Sequence, residues 1–141
     1  MQKANVRLYL KEGVNVPREQ MSEHFYRDEF ACKGEHCCNG SAPISEKLID
    51  GLESFRKALS SYVGEDTPVH INSGFRCKKH NTEEGGEDES EHTNANAVDV
   101  SSDVPVVIMY ECALNVDVFR GGGIGLYSNR LHLDVGRKRR W

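Results

Sequence analysis

Between Ile44 and Val63, apolar residues recur at three- and four-residue steps: Ile44, Leu48, Leu52, Phe55, Leu59 and Val63. That spacing places them on one stripe of an amphipathic helix. Ser45 or Ser41 can cap its start, and Gly64 stands where such a helix would end. A helix with a single apolar face implies a sheet for it to cover. "PVHINSGFRC" then alternates, with Val69 and Ile71 on one face and His70 and Asn72 on the other, before a Ser-Gly break that aims Arg76 out of the sheet.

The same alternation predicts a strand in "ANAVDV" and an antiparallel hairpin from "GGGIGLY" and "LHLDVG" around "SNR". "SDVPVVIMYECAL" reads as a helix with Ser102 or Asp103 as cap and a proline in its first turn, although Val106, Val107 and Ile108 would also suit a strand. "VRLYL" at 6–10 is a short strand, and "EHFYRDEFAC" at 23–32 supplies one or two helical turns. From Cys77 to Glu91 the chain is polar and acidic, so a surface loop is expected. The sum is an α+β fold, an antiparallel β-sheet covered by helices, with no internal repeat and no linker.

Composition narrows the class. A chain of 141 residues, 38% hydrophobic and 28% charged, suits one domain over 1–141 with a modest core. The formal charge of −4 is mild, so no nucleic-acid partner is called for, and the terminal "RKRRW" reads as a solvated tail. No apolar run approaches the ~18 residues of a membrane span, so no membrane insertion is expected. "MQKANVRLYLKEGV" mixes charges where a signal peptide would be unbroken and apolar, which predicts synthesis in the cytoplasm. Five cysteines, an odd number, are expected to be mostly reduced thiols. "CKGEHCC" gathers Cys32, His36, Cys37 and Cys38, but its spacing matches no standard zinc knuckle. It is read as a local thiol cluster or a partly oxidised one rather than as a second metal site.

Candidate chemistry lies on the strands. In an extended "LHLDV", His132 and Asp134 share the face opposite Leu131, Leu133 and Val135, so a polar pair faces a cleft. Asp99, between Val98 and Val100, places a carboxylate mid-strand, which costs free energy unless something positive satisfies it. Two imidazoles and one carboxylate, His92, Asp99 and His132, make the open three-ligand set of a catalytic zinc site, in which water takes the fourth position and is acidified toward pKa ~7. Taken alone, one histidine among six is more often a surface or capping residue than a ligand.

Three blocks in order, "NSGFRCKKHN", "SEHTNANAVDV" and "GGIGLYSNRLHLDVGRKRRW", resemble the zinc D-Ala-D-Ala carboxypeptidase and murein endopeptidase family. This LAS group of metallopeptidases includes D,D-dipeptidases, bacteriophage endolysins and the zinc-bearing fold of hedgehog signalling domains. The likeness is closest to the small bacterial and prophage branch, with its "SGFR", "SxHxxGxAxD" and "HxD" blocks, and runs from about Phe25 to Trp141. It implies a hedgehog-like D,D-peptidase fold and one Zn2+ ion held by His92, Asp99 and His132. It also implies that Arg76 lies beside the metal, where a fixed guanidinium stabilises a developing oxyanion. For Arg76 standing alone, a surface salt bridge would be the plainer reading. Ser90 would hydrogen-bond the substrate peptide, or else cap a turn.

Two departures from the family pattern matter. The glycine between the first two ligands is Ala95 here, which is tolerable unless that backbone needs positive φ. The general base is less clear: where the dipeptidase branch has a glutamate three residues before the last histidine, this chain has Asn129, followed by Arg130. Asp134 is the nearest replacement, either as base or as a partner that only orients a ligand. His70 and His80 are further candidates, with simple exposure the plainer reading of both.

The expected activity is a zinc-dependent peptidoglycan peptidase, a D-Ala-D-Ala carboxypeptidase or murein endopeptidase acting on stem peptides or cross-links as a monomer. Such a lysin would reach the wall through a phage-type lesion or in a virion. The alternatives are a non-catalytic zinc-stabilised binding module for cell wall or protein, motivated by Asn129, and a cytoplasmic D,D-dipeptidase. The acidic run "EEGGEDESE" would flank the cleft as a solvated loop.

Overall fold

The computed structural model describes residues 7–9, 15–34, 38, 42–85 and 90–141. A short hairpin opens the chain, with β1 (Arg7–Tyr9) antiparallel to β2 (Asn15–Pro17). A four-residue 3-10 turn at Arg27–Phe30 follows and buries Phe30. The predicted amphipathic helix is α1 (Glu46–Val63). Ser45 caps it, its side chain accepting from the Leu48 N–H at 3.1 Å, and Gly64 ends it at φ 89°, a conformation that glycine adopts without steric cost.

The main sheet runs in the order β3-β4-β6-β5-β7, from β3 (His70–Ser73), β4 (Ala97–Ser101), β5 (Gly123–Leu126), β6 (Leu131–Asp134) and β7 (Arg139–Arg140). Its first four strands are antiparallel as expected, but β7 lies parallel to β5, so the sheet is mixed. The basic terminus is therefore no solvated tail. Arg139 and Arg140 pair with Gly123 and Ile124, and the Leu126 N–H donates to the Trp141 carbonyl.

One face of the sheet carries Val98, Val100, Ile124, Leu131 and Leu133, all fully buried under Leu48, Leu52, Phe55 and Leu59 of α1. Apolar area removed from water on this scale is the main source of stability in a small domain. α3 (Val106–Ala113) and the one-turn α4 (Asp117–Arg120) complete the layer, and Phe119 packs edge-on to Phe55 at 6.5 Å between centroids. α3 is a helix as predicted, starting after Pro105, with Ser102 instead accepting from the Val104 N–H.

The expected loop after Arg76 begins as a helix, α2 (Lys78–Glu83), capped by Cys77. Its polar sequence hides it from a periodicity argument, since only Asn81 is buried. Much of the acidic run lies outside the described residues. Among the described residues, no helix is long and apolar enough to cross a membrane.

Candidate metal centre

The second face of the sheet is polar because of its register. Asp99 on β4 is directly opposite His132 on β6, which brings the two side chains onto one face as neighbours. His132 is in turn opposite Gly125, and Asp134 opposite Ala97 and Gly123. Residues without bulk thus surround the polar pair. A Cβ at Gly123 would run into the Asp134 carboxylate, and one at Gly125 into the Trp141 indole.

His92 reaches the same place from the turn that precedes β4. Its Nδ1 lies 2.7 Å from the Gly74 carbonyl, so this nitrogen carries the proton and Nε2 turns toward Asp99 Oδ1 at 3.5 Å. His132 is held the other way round. Its Nε2 donates to Asp134 Oδ2 at 2.7 Å, leaving Nδ1 facing Asp99 Oδ1 at 3.2 Å. One ligand atom each from His92, Asp99 and His132 lies within 4.8 Å of the other two, and all three residues are buried.

Two imidazole lone pairs and a carboxylate oxygen thus converge, an arrangement of acceptors that needs a cation at its centre. The donor set fits zinc. Without a metal, a proton takes that role. Burial opposes charge on His132, but its hydrogen bonds to Asp134 and Asp99 outweigh burial and raise its pKa. Burial likewise pushes the Asp99 carboxyl up, while the bonds from His132 and His92 bring it well below the usual carboxylate range.

Arg76 stands beside this cluster. Its guanidinium donates to Asp99 Oδ2 at 3.2 Å, to Ser73 Oγ at 3.3 Å and to Asn81 Oδ1 at 3.5 Å, which fixes its plane. Ser90 also lines the cleft, where its Oγ accepts from the His92 N–H at 3.2 Å, so it caps the ligand turn. Ala95, in the same turn, has φ 62°, in the left-handed region where glycine is unstrained and alanine is not.

Asp134 lies deeper than the three clustered residues. It has no exposed surface and sits behind the His132 ring, accepting from the Gly123 and Gly136 N–H groups and from Arg139 as well. Of the two roles expected for Asp134, base or orienting partner of a ligand, this burial and these four partners favour the second. His70 is exposed on the outer strand β3. His80 lies in an adjoining hollow with Arg76 and Asp99, its ring nitrogens 3.8 Å from a Glu83 carboxylate oxygen and 3.6 Å from a Glu84 one.

The cleft itself has a volume of about 590 Å³ and adds residues that the motifs did not single out. Glu84 and Glu91 contribute carboxylates to its wall, and Tyr127, Arg139 and Trp141 contribute to its rim. Trp141 covers His132 at 4.8 Å between ring centroids, held by Tyr127 Oη and by the Arg139 guanidinium over its face. Only the strand pairing of the terminus could have revealed this. The family model described as Peptidase M15 matches residues 23–134, spanning all three clustered ligand residues and Arg76. No curated protein matches the chain.

Proposed function

Because the chain belongs to the peptidase M15 family, the zinc D-Ala-D-Ala carboxypeptidase-like peptidases, we propose that it hydrolyses amide bonds in peptidoglycan stem peptides or cross-links. The observation that carries this reading is the convergence of His92 Nε2, Asp99 Oδ1 and His132 Nδ1 on one point beside an open cleft. These three residues hold one Zn2+ ion. Zinc bound there would supply Lewis-acid chemistry, polarising a carbonyl and lowering the pKa of water.

The remaining roles belong to the chain's own groups. Arg76, already locked against Asp99, presents its guanidinium to the oxygen on which negative charge develops. Asp134 is the orienting partner of His132, fixing its tautomer and ring plane. With Asn129 where the dipeptidase branch has its glutamate, the proton acceptor is a carboxylate that lines the cleft, Glu84 or Glu91. Arg130 and Arg140 line the same cleft and offer cationic partners for the free carboxylates of a stem peptide. Ser90 positions the ligand turn and reaches the substrate backbone from it.

The chain acts in this reading as one domain and as a monomer, in the manner of a lysin released by phage-type lysis or carried in a virion. The test is to incubate the zinc-loaded protein with purified sacculi and identify released fragments by mass spectrometry, with His132→Ala as control. New peptide termini made only by the parent protein would establish the activity and name the bond. Binding to sacculi with zinc present but no fragments from several wall chemistries would replace the enzyme with a zinc-stabilised binding module.

A further inference from the structure

A second group of ligand-type atoms lies outside the cleft. The Sγ atoms of Cys32, Cys38 and Cys77 fall within 4.8 Å of one another, with Cys32 buried and the other two half-buried. The sequence stretch around Cys32 looked like an isolated local cluster, and the fold changes that by adding Cys77 from 45 residues downstream. Phe75 N–H donates to the Phe30 carbonyl at 2.9 Å, and Gly74 lies so close that a Cβ there would be 2.7 Å from Phe30 Cα. The two segments are thereby held side by side.

We propose that Cys32, Cys38 and Cys77 form a second metal site, a thiolate site for Zn2+ that is separate from His92, Asp99 and His132. The separation of Cys32 and Cys77 sulfurs, 3.8 Å, carries the geometry. It is far longer than a disulfide bond of ~2.05 Å. It equals the edge of a tetrahedron whose centre lies ~2.3 Å from each corner, about 3.8 Å, which is the Zn–S bond length.

The surroundings suit thiolates. The backbone N–H groups of Cys77 and Gly34 point at Cys32 Sγ, and the His80 N–H lies 3.5 Å from Cys77 Sγ. Such N–H···S bonds favour the ionised sulfur. Binding is a proton exchange with no redox change: three S–H bonds break, three Zn–S bonds form and three protons leave. A donor beyond these three sulfurs completes the tetrahedron. Because Cys77 directly follows Arg76 and caps α2, the ion would clamp the segment after Phe30 to the turn that presents Arg76.

The experiment uses the full chain purified under reducing conditions. Metal analysis should find two zinc equivalents, and titrating the intact protein with an organomercurial should release one of them to a chromogenic chelator. His132→Ala should lose the other equivalent and keep the mercurial-releasable one. Cobalt replacement should give a sulfur-to-metal charge-transfer band in the near ultraviolet that Cys77→Ser abolishes and Cys112→Ser preserves. No mercurial-released zinc together with no such band would overturn the proposal, as would a Cys32–Cys77 disulfide found by mass spectrometry. Since only thiolates give that band, its presence or absence is independent of whether the His-Asp-His site binds zinc.

Discussion

Nε2 of His132 stands 2.7 Å from Oδ2 of Asp134, a carboxylate that also accepts two backbone N–H bonds and an arginine. A residue so placed works by holding the imidazole, which turns its other nitrogen toward Asp99. Replacing Asp134 by Asn removes the charge and keeps the shape. The expected result is a zinc affinity reduced by about 10- to 100-fold, measured by competition with a chelator, in a protein whose circular dichroism is unchanged. Unchanged affinity with loss of the acidic limb of the pH–rate profile would instead make Asp134 the base.

Ala95 is the single non-glycine residue with positive φ among the described residues, at 62°. An L-residue in that region costs roughly 1–2 kcal/mol, and glycine returns part of the gain through its freer unfolded chain, about 0.4–1 kcal/mol. Ala95→Gly should therefore stabilise by about 1 kcal/mol, while Ala95→Val should destabilise. Urea unfolding curves check both signs, and a destabilised glycine variant would contradict the strain.

Glu53 joins α1 to the segment before the 3-10 turn, accepting from Ser22 Oγ, the His24 N–H at 2.8 Å and His24 Nδ1 at 2.7 Å. Burial alone would raise its pKa, but these bonds outweigh burial and lower it. A lowered folded-state pKa gives stability that is full above the unfolded value of ~4.3 and is lost as pH falls through the folded value. Glu53→Gln should cost about 1–2 kcal/mol near neutrality, and the difference from the parent should shrink below about pH 4. A difference that stays constant from neutral to acid pH would rule out the charged partnership.

Protonation of His132 competes with metal. Its pKa is raised in the folded chain, so the metal-free protein gains stability below ~6.5 that is lost as pH rises through the folded value. Apparent zinc affinity should climb through that same range. Chelator competition from about pH 5.5 to 8 reads it, and a flat profile would show that the ring carries no proton to displace.

Trp141 is the chain's one tryptophan, and it leaves no room for a side chain at Gly125. Gly125→Ala should push the indole off His132, destabilise the chain by about 1–3 kcal/mol and shift the tryptophan emission to longer wavelength. An unaltered spectrum would mean that the indole does not rest there.

What the sequence by itself determined are the local periodicities. The step of three and four from Ile44 to Val63 dictated α1, and the two-residue period of "LHLDV" placed His132 and Asp134 on one face, because side-chain direction is a property of the backbone alone. The ordered blocks likewise carried the family. Tertiary structure decided what each polar group meets. Asp134 is sealed behind His132 because Gly123 and Arg139 close around it, and Cys77 met Cys32 because Phe30 packs on Gly74. The basic tail became a strand because β5 had an open edge whose backbone groups needed partners. Contacts between residues far apart in the chain depend on how whole elements dock, and no local pattern records that.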